Sequence, residues 1–352
     1  MGGNPAMSPS MHTRLPGLRA RILGGAAAAV LTLAAAGAAN AADVTIRLGH
    51  YFATEDFRGR TAQHFADRVE ALSDSIDVEV FPAESLVKGR EGLQATAQGT
   101  VDMYSIYAGY VTGQAKLLNI FTLPFPPASY TDEAQAKFAA DPAVRDVIDR
   151  SLGRFNVRML GVINSSGDVG IFLREPVKGI GDLNGRKLRG AGGLSDEALR
   201  ALGGSVVFMS AAEQFLALQT GTVDGIATTW SSYVNNNLAS VAPTHLDANL
   251  VRSPYLLIMN GRKWQSLDAD QQKAIEQAVT ETIAWSTENF KAEQDKLYAE
   301  IKTQAKVSVP LSAEDRAKVD EMVKPIYQGF VDDNGEDGAK LMELWKRYAG
   351  AS

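Results

Sequence analysis

Two stretches of the chain repeat the same pattern of hydrophobic and polar positions. Each begins with a short apolar run typical of a strand, Val78–Phe81 in the first stretch and Val206–Met209 in the second, and continues as an amphipathic helical segment. The tetrapeptide Gly-Thr-Val-Asp then follows at Gly99–Asp102 and at Gly221–Asp224, and another apolar run comes after each copy. Its glycine suits the left-handed conformation that ends a helix. The pattern predicts one strand–helix–strand unit built twice, in two similar α/β lobes with a cleft between them.

A long helix is predicted after Asp268, where a capped start precedes apolar residues that recur at helical spacing from Ile275 to Ile301. Neither proline nor glycine interrupts the sequence between positions 267 and 309. A helix of about 35 residues spans roughly 50 Å, long enough to lie across both lobes. The run Pro254–Met259 is predicted to be a strand that returns into the first lobe.

The first 41 residues have the pattern of a secretion signal. Arginines precede an apolar, alanine-rich stretch over Ile22–Ala36, and Ala39–Ala41 fits the A-x-A cleavage rule. The apolar stretch is short for a membrane span, which needs about 20 residues, so a membrane anchor is the weaker alternative. The chain has no cysteine, which excludes disulfides and a lipid-modified cysteine. The mature protein is predicted to be Ala42–Ser352, located in the periplasm.

The charge balance argues against nucleic acid as a partner. The formal net charge is −6, and removal of the three arginines of the signal leaves −9 on the 311 mature residues. Nucleic-acid phosphates require a basic surface, which this composition does not favour. A chain of 311 residues also exceeds the size at which one hydrophobic core usually splits into two.

Catalytic and metal-binding motifs have little support. The mature chain contains the histidines His50, His64 and His245, without the spacing of an H-E-x-x-H zinc site. Ser85–Lys88 matches the S-x-x-K motif of serine acylases, but the S-D-N and K-T-G partners are missing. Gly179–Gly181 lacks the third glycine of a dinucleotide loop. We therefore expect no cofactor, no metal and no enzymatic activity, with a secreted hydrolase as the less favoured alternative.

Three motifs together resemble the DctP-type solute-binding proteins of tripartite ATP-independent periplasmic (TRAP) transporters. They are Leu183–Arg189, Leu202–Met209 and Leu218–Gly225, and the resemblance covers Asp43–Tyr348. It implies an α/β, type II periplasmic-binding-protein fold with two lobes, a hinge and a long lobe-spanning helix. It also implies capture of a small organic acid and its delivery to the membrane permease subunits. An ABC-type periplasmic binding protein for another small solute is the alternative within this fold.

These observations predict the following organisation of the chain. The signal peptide covers 1–41, lobe I covers 42–163 with 254–266 returning to it, and lobe II covers 164–253. The long shared helix and the C-terminal helices cover 267–352. A monomer is expected, with a dimer as the alternative.

Six residues are predicted to contact the ligand: Arg189, Trp230, Tyr107, Tyr51, Thr228 and Asn164. Arg189 ends a strand and enters the small-residue segment Gly190–Gly193, which would let a ligand approach the backbone. A guanidinium at a strand end can bind a carboxylate through two hydrogen bonds. The resemblance places the family's carboxylate-binding arginine in this Lys-x-Arg motif. The alternative is an arginine that bridges the lobes without touching a ligand.

The other five candidates would complete the pocket. Trp230 follows the second Gly-Thr-Val-Asp strand and is either an aromatic wall or ordinary core. Tyr51 and Tyr107 lie at strand ends of the first lobe and could donate hydrogen bonds to a ligand oxygen. Thr228 stands where relatives that bind sialic acid have an asparagine, which argues against a sugar acid. Asn164 lies near a crossing where many relatives have a second arginine, which favours a ligand with one carboxylate, or one whose second polar group is neutral.

Overall fold

The computed structural model describes residues 43–164 and 167–350, and the predicted signal peptide lies outside them. Within these residues the strands form two sheets. The first sheet, in lobe I, contains β1 (Val44–Gly49), β2 (Ile76–Phe81), β3 (Met103–Tyr107), β4 (Val157–Asn164) and a late strand, β10 (Pro254–Asn260). The second sheet, in lobe II, contains β5 (Val169–Leu173), β6 (Lys187–Gly190), β7 (Ser205–Phe208), β8 (Gly225–Thr229), β9 (Thr244–Val251) and β11 (Val307–Pro310).

The two sheets have the same strand order. Lobe I runs β2-β1-β3-β10-β4, and lobe II runs β7-β6-β8-β5-β9 with β11 added at the edge. In each lobe the first three strands are parallel and the next one is antiparallel to them. The predicted doubling of one unit is therefore present in the topology, and Pro254–Asn260 pairs within the first sheet as its apolar sequence predicts.

The helices cover the faces of the sheets. They are α1 (Phe57–Leu72), α2 (Gly92–Gln98), α3 (Asp132–Ala140), α4 (Pro142–Gly153), α5 (Leu194–Ala201), α6 (Gln214–Gln219), α7 (Trp230–Asn235), α8 (Gly261–Ser266), α9 (Ala269–Gln304) and α10 (Ala313–Ala349). In the part of the chain that the structure describes, no helix combines the length and the apolar character needed to cross a bilayer.

The long helix α9 joins the two lobes, as its uninterrupted periodicity predicts. It is 36 residues long and starts with a capping box in which Asp268 and Gln271 exchange hydrogen bonds. It packs against α1 and β4 of lobe I and against α7 of lobe II. Phe57 of α1 stacks on Trp285 of α9 at 5.4 Å between ring centroids. A single rigid element thus touches both lobes.

The two Gly-Thr-Val-Asp copies make the same local structure. Gly99 and Gly221 adopt φ values of 80° and 72°, the left-handed conformation that favours glycine. The carboxylate of Asp102 accepts the backbone N–H of Arg47 at 2.9 Å, and that of Asp224 accepts the backbone N–H of Lys187 at 2.8 Å. Each copy therefore ends a helix and attaches the next strand to its parallel neighbour.

Candidate functional site: a cleft between the lobes

The parallel strands of both lobes end at one cleft. Here a small cavity of about 20 Å³ lies among side chains that come from both sheets. It is lined by Tyr51, Tyr107, Tyr110, Arg189, Ala191, Ala211, Thr228, Thr229, Ser232 and Tyr255. Four predicted contact residues, Arg189, Tyr107, Tyr51 and Thr228, are therefore brought together. Binding crevices of open α/β sheets lie at such carboxyl ends of strands.

Arg189 is the buried cation of this cleft. It lies near the end of β6, is 2 % exposed, and forms no ion pair with a carboxylate of the described residues. Its Nε and Nη2 donate to the carbonyl oxygen of Met209 at 3.1 and 2.9 Å, and Nη1 donates to that of Ala227. These bonds orient the guanidinium, and no carboxylate of the described residues lies within ion-pair distance of it, although the charge of the buried Asp196 acts on it from farther away. A guanidinium has five N–H donors, so the outer edge keeps capacity for an anion.

Tyr110 connects Arg189 with the opposite lobe. Its hydroxyl lies 3.5 Å from Nη2 of Arg189 and accepts the backbone N–H of Ala211 at 2.8 Å. Its ring stacks on Tyr51 at 5.4 Å and meets Tyr107 edge to face at 5.9 Å. An aromatic wall from lobe I thus faces the guanidinium of lobe II. The N–H of Ala211 and the guanidinium both converge on this wall.

Tyr107 supplies a hydroxyl that is free to bind. The residue is 3 % exposed, and its hydroxyl has no hydrogen-bond partner within the described part of the chain. Burial raises the pKa of Tyr107 well above its ordinary value, with Tyr255 nearby as a second cause. The hydroxyl therefore stays protonated at neutral pH and can donate a hydrogen bond to a ligand oxygen.

A buried ion pair at the other end of the cleft was not expected from the sequence. The side chains of Arg58 and Asp56 form two hydrogen bonds, at 2.7 and 2.6 Å, and both residues are almost fully buried. Burial by itself raises the pKa of Asp56, but the guanidinium of Arg58 holds it below its usual value. Arg58, unlike Arg189, therefore already has a carboxylate partner in direct contact.

The Asp56–Arg58 pair also links the lobes. Nη1 of Arg58 donates to the hydroxyl of Ser232 at 3.2 Å and to that of Tyr255 at 3.0 Å. Asp56 accepts the side-chain amide of Asn235 at 2.7 Å. Ser232 and Asn235 belong to lobe II, and the ion pair belongs to lobe I. These contacts hold the two sides of the cleft together.

A second cavity of about 330 Å³ adjoins the first. The two share Tyr51, Ala211 and Ser232 as walls, and the second is also lined by Asp56, Arg58, Gln214, Asn235 and further residues. Cavities of roughly 300–1,000 Å³ accommodate small organic molecules. The cleft therefore has a narrow end at Arg189 and a wider end at Arg58.

Two predicted contact residues are not placed among the cleft walls. Trp230 lies in a lobe II cluster of the described core, stacked on Tyr298 at 5.2 Å, and lines neither of these two cavities. That position matches the core-packing alternative. Asn164 is the last residue of β4, where its backbone pairs with Pro254. Its side chain lies outside the described residues, as do residues 165 and 166.

The small residues after Arg189 serve lobe contact. A Cβ on Gly192, whose φ is 95°, would lie 2.3 Å from the carbonyl oxygen of Gly109 in lobe I. The N–H of Gly192 donates to the carboxylate of Asp196 at 2.9 Å. Glycine is needed here because two backbone segments meet. Gly192 is therefore used for contact between the lobes, whereas Ala191 of the same segment lines the cavity at Arg189.

The buried histidine near the cleft, His50, is kept neutral by its surroundings. His50 is buried, and burial, followed by the charge of Arg58, lowers the pKa of His50 to about 4. Its Nδ1 accepts the backbone N–H of Phe52 at 3.3 Å. Among the described residues, no group of three or more acidic or histidine side chains could hold a metal ion.

Several cleft residues escaped sequence reasoning for identifiable reasons. Tyr110 follows the predicted Tyr107 by three positions in the segment after β3, so a search beyond the strand end would have found it. Tyr255 pairs directly with Tyr107 across the sheet, which only the register reveals. Arg58 bonds to Ser232, 174 residues away, and no local pattern signals that contact.

Fold and cleft together define a two-lobed protein with a buried arginine between its lobes, and this arginine has no ion-pair partner among the described residues. The chain belongs to the bacterial extracellular solute-binding proteins of family 7, the DctP family, whose model matches residues 48–334. The resemblance found in the sequence, to DctP-type proteins of TRAP transporters, is thereby confirmed. The family serves transport.

Similar proteins agree with this assignment along nearly their whole lengths. The C4-dicarboxylate-binding periplasmic protein DctP of Rhodobacter capsulatus is 27% identical over 325 residues, covering 91% of this chain and 96% of that protein. A TRAP periplasmic solute-binding protein of Shewanella oneidensis, solved with bound succinate, has a TM-score of 0.77 and 25% identity, covering 87% of this chain and 99% of that one. A marine metagenome TRAP solute-binding protein specific for pyroglutamate has a TM-score of 0.79 at 20% identity, with coverages of 87% and 99%. The predicted two-lobe fold is confirmed.

Proposed function

We propose that this protein is the periplasmic receptor of a TRAP transporter, which captures a small organic acid with one carboxylate and delivers it to the membrane permease. The observation that carries the proposal is Arg189, a buried guanidinium without an ion-pair partner among the described residues. A buried charge is stable only when paired or strongly hydrogen-bonded. A ligand carboxylate would complete the pairing.

The second arginine of the cleft favours a single carboxylate. Arg58 is neutralised by Asp56 through two short hydrogen bonds, so a second ligand carboxylate would compete with a buried partner already in place. The relatives named above for C4-dicarboxylates, succinate and pyroglutamate have acids as ligands in common. For this chain we infer an acid whose other end is neutral.

Lobe closure is the proposed mechanism. The cavity at Arg189 measures about 20 Å³, roughly the space for one water molecule, so an organic acid must enter while the lobes are apart. The carboxylate docks on Arg189, and Tyr51, Tyr107 and Tyr110 close over it from lobe I. Contact with both lobes is what gives the ligand a preference for the closed form. The permease would then recognise that form.

Periplasmic location follows from the predicted signal peptide together with the relatives. The R. capsulatus and S. oneidensis proteins are named as periplasmic. We propose that cleavage after Ala41 releases residues 42–352, and that the mature receptor acts as a monomer.

Thermal unfolding of Ala42–Ser352 against a ligand panel tests the function. The panel contains lactate, succinate, pyroglutamate, taurine, glutamine and galactose, each at high concentration. A ligand at 100 times its dissociation constant adds about 2.7 kcal/mol to the free energy of unfolding, which raises the midpoint by a few degrees. Shifts with lactate or pyroglutamate, which carry one carboxylate and no charged amine, are expected. A shift with succinate alone would contradict a single carboxylate, and a shift with glutamine alone would favour the ABC-type alternative. Shifts with galactose alone, or with none of the carboxylates, would contradict the proposal.

A further inference from the structure

The wide end of the cleft contains a buried amide without a hydrogen-bond partner. Gln214, at the start of α6, has 0% exposure and lines the cavity of about 330 Å³. Both its Nε2 and its Oε1 lack a hydrogen-bond partner in the described part of the chain. A buried polar group left unsatisfied typically destabilises a protein by about 1–3 kcal/mol. Such a group in a binding cavity points to a ligand that satisfies it.

The position of Gln214 relates it to the carboxylate site. Its cavity shares the walls Tyr51, Ala211 and Ser232 with the cavity at Arg189. A molecule whose carboxylate is held by Arg189 would therefore extend past these three residues toward Gln214. The amide and the guanidinium thus line two adjoining cavities that have walls in common.

The charges around Gln214 favour a neutral group at that end. Asp56 and Arg58 line the same cavity and neutralise each other. Glu84 also lines it and accepts the backbone N–H of Gly89 at 2.9 Å. A second carboxylate on the ligand would be repelled by Glu84 and would have to disrupt the buried ion pair, whereas a neutral polar group would not.

We propose that Gln214 is a specificity-determining residue that reads an amide group, a carboxamide or a lactam, at the end of the ligand remote from its carboxylate. This inference rests on the proposed function. A primary or cis amide presents one donor and one acceptor side by side, as the glutamine side chain does. The two can therefore form a pair of hydrogen bonds that satisfies both orphaned atoms of Gln214. A ketone of the same shape satisfies only Nε2 and leaves Oε1 buried without a donor.

Two matched pairs of probe acids test the inference in binding titrations. 2-Oxopiperidine-4-carboxylate, a lactam whose amide lies away from its carboxylate, is compared with 3-oxocyclohexanecarboxylate, in which a methylene replaces the ring N–H. Succinamate is compared with levulinate, in which a methyl replaces the amide nitrogen. The wild type should bind the amide of at least one pair about tenfold or more tightly than its ketone, because a site that hydrogen-bonds a ligand N–H rejects the analogue lacking it.

The variants Gln214→Leu and Gln214→Glu identify the residue responsible. Gln214→Leu should bind amide and ketone within about twofold of each other, because it offers neither donor nor acceptor. Gln214→Glu keeps the shape but loses the donor, so it should weaken both acids. Gln219→Leu, an exposed glutamine on the same helix, is the matched control and should keep the wild-type preference. Unchanged melting temperatures would show that the variants fold.

Each contrary outcome has a distinct meaning. Equal wild-type affinity for amide and ketone, or a preference that survives in Gln214→Leu, would overturn the role of Gln214. Binding of lactate without binding of either amide would overturn the ligand class and leave the proposed function intact. Undiminished binding of every acid by Arg189→Ala would instead overturn the proposed function, since the carboxylate site would then lie elsewhere.

Discussion

The two lobes are built from the same strand–helix–strand unit but carry different residues at the ends of their equivalent strands. Leu48 and Gly49 of β1 face Met103 and Tyr104 of β3, directly after the first Gly-Thr-Val-Asp. In lobe II, Leu188 and Arg189 occupy the equivalent positions beside the strand that follows the second copy. Gly49 is therefore the structural counterpart of Arg189.

The difference follows from what lies beside each strand end. A Cβ on Gly49 would come within 2.9 Å of the Tyr104 ring, so lobe I has no room for a side chain there. In lobe II the guanidinium of Arg189 reaches the carbonyl oxygens of Met209 and Ala227. Lobe I thus contributes tyrosine hydroxyls and lobe II a cation. Two copies of one backbone framework can therefore supply different polar groups to the same cleft.

The largest expected effect comes from removing the cation of lobe II. Arg189→Ala should weaken binding of a carboxylate ligand by about 3–5 kcal/mol, because it leaves a buried charge without its partner. Calorimetric titration measures the loss. Arg200→Ala, an exposed arginine on α5 of the same lobe, is the control and should bind as the wild type does. Near-native affinity in Arg189→Ala would break the division of roles between the lobes.

The two Gly-Thr-Val-Asp carboxylates should differ in their effect on stability. Asp102 is buried and accepts three hydrogen bonds from Arg47, one from the backbone and two from the guanidinium, at 2.9–3.2 Å. Asp224 is half-buried and accepts the backbone N–H of Lys187. Asp102→Ala should lower the free energy of unfolding by about 2–3 kcal/mol and Asp224→Ala by about 1 kcal/mol. Urea denaturation measures the free energy of unfolding of both variants. Equal losses would contradict the predicted difference between Asp102 and Asp224.

A smaller effect concerns the pH dependence of stability. The folded-state pKa of His50 is lowered to about 4 from 6.5, chiefly by burial. The unfolded chain therefore binds a proton that the folded chain does not, and stability present above pH 6.5 is lost as the pH falls toward 4. Between pH 7.5 and 5.0 the wild type should lose about 1–2 kcal/mol more than His50→Asn.

Two other buried groups, in lobe II, also contribute to the pH dependence of stability. Burial also lowers the pKa of His245, in β9, to about 4, whereas burial raises the pKa of Asp168 to about 6 and acts in the opposite direction. Comparison of wild type with His50→Asn by urea unfolding at both pH values isolates the contribution of His50, because the contributions of His245 and Asp168 are common to both proteins. Parallel pH profiles of His50→Asn and wild type would contradict the lowered pKa of His50.

The sequence predicted the framework well, because the framework depends on local patterns. The long helix is readable from its apolar spacing and its Asp268–Gln271 cap, and the repeated unit from its left-handed glycines. The residues that line the candidate cleft were predicted in part. Arg189 and Tyr107 end strands and were accessible to reasoning, whereas the amide of Gln214 looked like any other helical residue. Nothing near Arg58 in the sequence indicates its contact with Ser232.

The sequence by itself determined two similar α/β lobes, the helix that joins them, and an arginine at a strand end. Only the tertiary structure decided which groups meet across the cleft. It left Arg189 without a carboxylate partner among the described residues, paired Arg58 with Asp56, and placed Trp230 in the core. The physical reason is that secondary structure depends on neighbours along the chain. The state of a buried charge depends instead on groups that only folding brings within hydrogen-bonding distance.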